Sequence, residues 1–152
     1  MTEEIFTKDP NMTVEVAMQL IVENLTPNGD EKLEAAQTCV IELQLMGWSH
    51  DFEAWVLDYK IFWGDPNAVK VWQELDEYIK QRFQTESGRS MPVSCVCIDS
   101  GGHHTNQVYQ FTKPRQSRRV FSIKGINQLG KPIANKPSFV GKNKAVLYPI
   151  GT

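Results

Sequence analysis

After Asp99 the chain has no acid. Residues 100–152 hold nine lysines and arginines without one aspartate or glutamate, whereas residues 1–99 hold all 18 acids against seven bases. The net charge of −2 therefore hides two oppositely charged stretches, a separation that mixed solvated surfaces rarely show. Either the halves neutralise each other in the fold, or the basic half meets a polyanion, for which a phosphate backbone is the usual partner. That half contains KPRQSRR at 113–119, followed by Lys124, Lys131, Lys136, Lys142 and Lys144.

Other absences narrow the class. No run of 18 apolar residues occurs, so no membrane-spanning helix is expected. The opening MTEEIFTKDP is acidic and lacks the basic and apolar regions of a secretion signal. Cys39, Cys95 and Cys97 are too few and too uneven for a framework of bridges. Cys95 and Cys97 alternate onto one face of an expected strand as small hydrophobes, and a zinc site would call for a second pair. These features fit a reduced, cytoplasmic protein. No G-x-x-x-x-G-K-[ST] string is present, which excludes a self-contained P-loop ATPase, and no internal repeat is visible.

What is present reads as one globular unit: 152 residues, 41% hydrophobic, with four tryptophans. Residues 13–24, TVEVAMQLIVEN, satisfy two periods. Val14, Met18, Ile21, Val22 and Leu25 fit a helix face, while Val14, Val16, Met18 and Leu20 fit strand alternation; we take the segment as a helix. DEKLEAAQ (30–37) suits a short helical turn. CVIELQLMGW (39–48) and FEAWVLDYKIFW (52–63) predict an antiparallel hairpin. GDPN (64–67) starts a helix through VWQELDEYI, with Asp65 as cap and Pro66 in its first turn. ESGRSMP (86–92) reads as a loop. PVSCVCI (92–98) predicts a strand covered on both faces, a helix follows near 103–112, and RVFSIKG (119–125) predicts another strand. Residues 125–144 read as a long basic loop before a final strand, AVLYPIG (145–151). The order implies an α/β sheet with an antiparallel hairpin at one side. Trp48, Trp55, Trp63 and Trp72 read as core and edge packing rather than base-stacking platforms.

The chemistry concentrates in DSGGHHTNQVYQF (99–111). Functional groups of open α/β sheets gather at the carboxyl ends of strands, and Asp99 is placed at such an end. A carboxylate there can hold Mg²⁺ or Mn²⁺. Gly101 and Gly102 allow a sharp turn and a close phosphate approach, and His103 or His104 could bond a phosphate or move a proton. The alternative is that Asp99 or Ser100 merely caps the next helix and the histidines are ordinary surface residues. Asp58, in the hairpin, either faces Asp99, or is a solvated position or pairs with Lys60 or an arginine.

The strings CIDSGGHHTNQVYQF, RRVFSIKG and LYPIGT, with LMGWSHDFEAWVLDYKIFWGDP and VWQELDEYI upstream, resemble the nuclease domain of lambda-type phage terminase large subunits over about residues 39–152. The resemblance implies a ribonuclease-H-like mixed sheet with flanking helices and an altered or incomplete first strand, preceded by a 1–38 segment of uncertain role that could dock a partner. It implies a two-metal endonuclease making staggered cuts in concatemeric viral DNA during packaging, in a phage or prophage setting in the host cytoplasm. Double-stranded DNA is the implied partner, with the ATPase domain, the terminase small subunit and the portal. Asp99 carries over as a metal-holding acid, with Gly101, Gly102, His103 and His104 beside it. Arg115, Arg118, Arg119, Lys124, Lys131 and Lys136 are assigned to the DNA backbone. The family places another acid in a strand just before the hairpin, where this chain has LEAAQT with Ala35 and Ala36; Asp30 or Glu15 would have to replace it. A further family acid beyond the last strand has no counterpart before the chain stops at LYPIGT. Two functions therefore compete, a metal-dependent endonuclease and a non-catalytic DNA-binding remnant of one.

Overall fold

The computed structural model describes residues 15–25, 38–49, 51–85, 87–127, 130 and 132–151; for 15–25 and 38–40 the description is of backbone and pairing. In chain order the elements are β1 (Glu15–Leu25), β2 (Thr38–Trp48), β3 (Ala54–Trp63), α1 (Val69–Ile79), β4 (Arg82–Gln84), β5 (Ser90–Pro92), β6 (Cys95–Asp99), α2 (Thr105–Thr112), a 3₁₀ segment (Lys113–Arg118), β7 (Val120–Ile126), β8 (Ser138–Val140) and β9 (Ala145–Gly151). Seven strands form one sheet in the order β3-β2-β1-β6-β7-β9-β8, and β4 pairs with β5 separately. β1, β6, β7 and β9 are parallel, while β2 and β8 run against their neighbours. This mixed sheet with few helices is compatible with a ribonuclease-H-like fold.

The hairpin forms where alternation predicts it. Ile41, Leu43 and Leu45 are fully buried while Glu42, Gln44 and Met46 between them are half-exposed. Pairing passes from Leu45 with Asp58 to Met46 with Val56, so Leu57 is an extra residue on β3. This bulge buries Leu57 and leaves Asp58 accepting the Tyr78 hydroxyl from α1. Asp58 is thus engaged by Tyr78, on a strand separated from β6 by β2 and β1, and does not face Asp99.

The helix expected over residues 13–24 is instead β1, an interior strand between β2 and β6. It pairs antiparallel with β2 from Glu15–Trp48 to Leu25–Thr38, and in parallel with β6. Pairing on both edges decided between two periods that the segment satisfied equally. The strand falls within the 1–38 segment yet lies inside the sheet, paired on both edges; the helical turn expected at 30–37 lies outside the described residues.

Both helices cover the same sheet face. Val71, Trp72, Leu75, Tyr78 and Ile79 of α1 and Val108 and Phe111 of α2 form one core with Ile41, Leu43, Leu45, Val96, Ile98 and Val120. Truncating a fully buried member such as Leu75 to alanine would cost about 2–5 kcal/mol. Among the described residues no helix covers the opposite face, so Cys95, Cys97 and Asp99 remain half-exposed; the strand expected to be buried on both faces is buried on one. Trp72 is core, but Trp48, Trp55 and Trp63 are exposed on the hairpin.

Three smaller expectations change. The helix starts at Val69, after a turn in which Asp65 accepts from the Asn67 amide at 2.9 Å, and Ala68 occupies the cap position without a side-chain bond. The 86–92 loop contains β5, paired with β4. The basic loop holds β8 on the edge of β9, an Ala134–Ile150 bridge, and the Gly151 amide donating to the Ile133 carbonyl at 2.8 Å. Among the described residues no helix is long and apolar enough to cross a membrane.

Candidate functional site

Parallel strands bring their carboxyl ends to one rim, and β3, antiparallel to β2, ends there too. Asp99 stands on this rim as the last residue of β6. Its Oδ1 accepts the Gly101 amide at 2.8 Å, closing a tight turn. A Cβ at Gly101 would come within 3.1 Å of that same oxygen, so only glycine leaves the carboxylate undisturbed. Ser100 is buried, and both its amide and its hydroxyl donate to the Ile123 carbonyl at 2.9 Å. Thr105 Oγ1 donates to the carbonyls of Ser100 (2.8 Å) and Gly102 (2.9 Å), fastening the turn to the start of α2. Neither Asp99 nor Ser100 caps this helix. His104 holds the cap position without a side-chain cap bond, and its carbonyl accepts the Val108 amide at 3.1 Å. His103, just before it, is exposed.

The strands beside Asp99 carry no acid at its level. Leu20 pairs with Ile98, so Asp99 comes level with Ile21 of β1, and on its other side it pairs with Ile123 of β7. Glu42 lies in the same row, paired with Ile21, two strand spacings or about 10 Å from Asp99. Glu15 is six residues back along β1, about 20 Å from the Asp99 level and near the opposite rim, so the structure does not bring the two together. Glu23, which the sequence reading passed over, sits two positions beyond Ile21 on the Asp99 side, paired with Val40. Only the register identifies it. Asp30 lies outside the described residues. Among the described residues no three His, Cys, Asp or Glu side chains gather closely enough to hold an ion, so these residues do not fit a two-ion centre.

The expected DNA-binding cations divide into two groups. Arg115 Nε and Arg118 Nη1 reach the same oxygen of the buried Asp76, at 2.8 and 2.9 Å, and Lys80 Nζ approaches the other at 2.6 Å. Burial alone would raise the Asp76 pKa, but the hydrogen bonds from Arg115, Lys80 and Arg118 outweigh it and hold the carboxyl well below the usual range. Arg115 also donates to the Phe111 carbonyl at 2.9 Å and lies over the Phe111 ring, 4.1 Å from its centroid. These two arginines pin the 3₁₀ segment to α1. Arg119, Lys124 and Lys136 are exposed and form no ion pair among the described residues; Lys131 lies outside them.

The opening turns of α1 and α2 flank a cavity of about 210 Å³, lined by Pro66, Asn67, Trp72, Gln73, Gln107 and Gln110 among others. Gln107 Nε2 donates to Asn67 Oδ1 at 2.7 Å, linking the two helix starts.

Comparison with known proteins bears on this rim. Residues 36–151 match the family described as terminase large subunit gpA, endonuclease domain. The chain is 33% identical over 111 residues to the terminase large subunit of Escherichia phage lambda, covering 73% of this chain and 17% of that protein. It is 31% identical over 111 residues to the terminase large subunit of Enterobacteria phage P21, with the same two coverages of 73% and 17%. The matched region thus spans about a sixth of these relatives' length. No solved structure matches the chain. With the strand order, the Asp99 turn and a match over most of its residues in agreement, the chain belongs to the family of terminase large-subunit endonuclease domains.

Proposed function

We propose that this chain engages double-stranded DNA as the endonuclease module of a phage or prophage packaging terminase, in the host cytoplasm. The observation that carries the reading is the Asp99-Ser-Gly-Gly-His-His turn, fastened at the carboxyl rim of a ribonuclease-H-like sheet by Ser100 and Thr105. Arg119, Lys124 and Lys136 are exposed cations for phosphates, and His103 is an exposed imidazole four residues after Asp99. Membership of an endonuclease family implies a divalent metal in general, and Mg²⁺ or Mn²⁺ suits a carboxylate site. Asp99 would be its anchor here. The ATPase domain, small subunit and portal are the partners such a module would serve.

The isoleucines on either side of Asp99 favour a second reading, in which the chain binds DNA without cutting it. A plasmid-nicking assay with Mn²⁺, comparing wild type with Asp99→Ala, separates the two. Nicking by wild type that Asp99→Ala abolishes supports the endonuclease. Nicking that survives Asp99→Ala removes Asp99 from the assignment. Salt-sensitive DNA binding without nicking by folded wild type supports the second reading.

A further inference from the structure

Among the features the site has not used, the cavity between the helix starts carries the most. It opens at the same rim as Asp99, since α1 follows the end of β3 and α2 follows the end of β6. From His103 to Gln107 is about one helical turn, so the walls begin next to the exposed imidazole.

Its lining sets carboxamides over an apolar floor. Four primary carboxamides, Asn67, Gln73, Gln107 and Gln110, stand around it, and Trp72 and Phe111 lie beneath with ring centroids 5.0 Å apart. No carboxylate lines it, and its one cation, Arg115, is engaged by Asp76, which Arg118 and Lys80 share. Asn67 and Gln107 are bonded to each other. Gln73 on α1 and Gln110 on α2 are exposed, and their carboxamides hydrogen-bond to no described residue. Each free carboxamide offers two N–H donors and one acceptor oxygen. With the Arg115 guanidinium held by Asp76 and the Phe111 carbonyl, the lining offers a ligand carboxamides rather than a free cation. Paired donors and acceptors at the mouth of an apolar floor suit a flat ring system with both kinds of group on its edge, which describes a nucleobase. The volume of about 210 Å³ is below the roughly 300–1,000 Å³ of drug-sized sites, so one base is accommodated and a dinucleotide is not.

We propose that the cavity between α1 and α2 receives a single unpaired nucleobase of the DNA strand lying along the Asp99 rim, read by Gln73 and Gln110. This rests on the DNA reading above. Such a subsite would hold a strand that has left the duplex and so fix its position relative to Asp99.

The test uses the whole chain and two DNA hairpins that differ only in a six-nucleotide single-stranded tail, one of thymidines and one of abasic nucleotides with the same number of phosphates. Affinity is measured by fluorescence anisotropy at fixed salt. Wild type is expected to bind the thymidine tail about tenfold more tightly. The exposed double variant Gln73→Ala/Gln110→Ala is expected to lose that preference while binding the abasic-tailed hairpin like wild type. Equal affinity of wild type for the two tails, or a preference surviving in the double variant, overturns the proposal. Failure to bind either hairpin overturns the DNA reading and this inference with it, whereas tight binding without preference overturns the inference alone.

Discussion

The Asp76 carboxylate and the Arg115 guanidinium meet at 2.8 Å, joining the middle of α1 to the 3₁₀ segment that follows α2. Arg118 and Lys80 share that carboxylate, so one buried acid organises three cations. Asp76→Asn is expected to lower unfolding free energy by about 2 kcal/mol at pH 7, below the figure for a fully buried pair because the cations reach solvent. The folded carboxyl titrates below its unfolded value of about 3.9. Its contribution is therefore complete above about pH 4 and lost as pH falls toward the folded pKa. Urea denaturation of both proteins at pH 7 and pH 3 should show the difference shrinking at the lower pH; a constant difference would contradict this.

Tyr78 supplies the complementary case. Burial and the hydrogen bond to Asp58 both push its phenol above the ordinary value. A raised folded pKa gives stability that is complete below the unfolded value of about 10 and lost as pH climbs past it. Absorbance of ionised tyrosine should therefore show one ring that titrates only as the protein unfolds, a step missing in Tyr78→Phe. That variant should cost about 1 kcal/mol at neutral pH.

The division among the cations predicts two classes of variant. Replacing Arg119, Lys124 or Lys136 with alanine should leave the thermal midpoint nearly unchanged. Each true phosphate contact removed should reduce the slope of log affinity against log salt by about 0.9. Arg115→Ala should instead lower stability by about 1–2 kcal/mol through Asp76. Parallel melting and salt titrations separate the classes; an unchanged slope in all three exposed variants would reassign the DNA contact.

Cys97 should resist alkylation. A hydrogen bond with Cys95, then burial, pushes its thiol well above the ordinary cysteine range. Iodoacetamide at pH 8 should label it far more slowly in the folded protein than in urea, as followed by mass spectrometry of the peptide. Equal rates would show that the strand opens readily.

Much of this architecture was legible from the order of residues. The hairpin stood out because Ile41, Leu43 and Leu45 alternate with polar neighbours, and Asp99 because an acid and two glycines end an apolar run. β1 was not legible, since its residues satisfy two periods and its strand pairing depends on segments far along the chain. β8 is three residues long and exists through β9. Asp76 reads as one more solvated acid in WQELDEYI, so nothing local announced that it would take up Arg115 and Arg118. Counting charge cannot tell a cation facing solvent from one held internally. The DSGGHH string drew attention to the end of β6, but only the register revealed that isoleucines border Asp99.

The extra residue in β3 has a consequence for how the molecule behaves in a crowd. β3 ends the sheet, ten residues long, with Val56, Tyr59 and Trp63 exposed along it, the sort of border onto which another chain could stack. At Leu57 the ladder loses its even spacing, so an incoming straight strand would find its partners in step on only one side of the break. Asp58 and Lys60 would have to be stripped of water to continue past it. A feature that seats Leu57 in the core thereby also discourages the growth of filaments from that border.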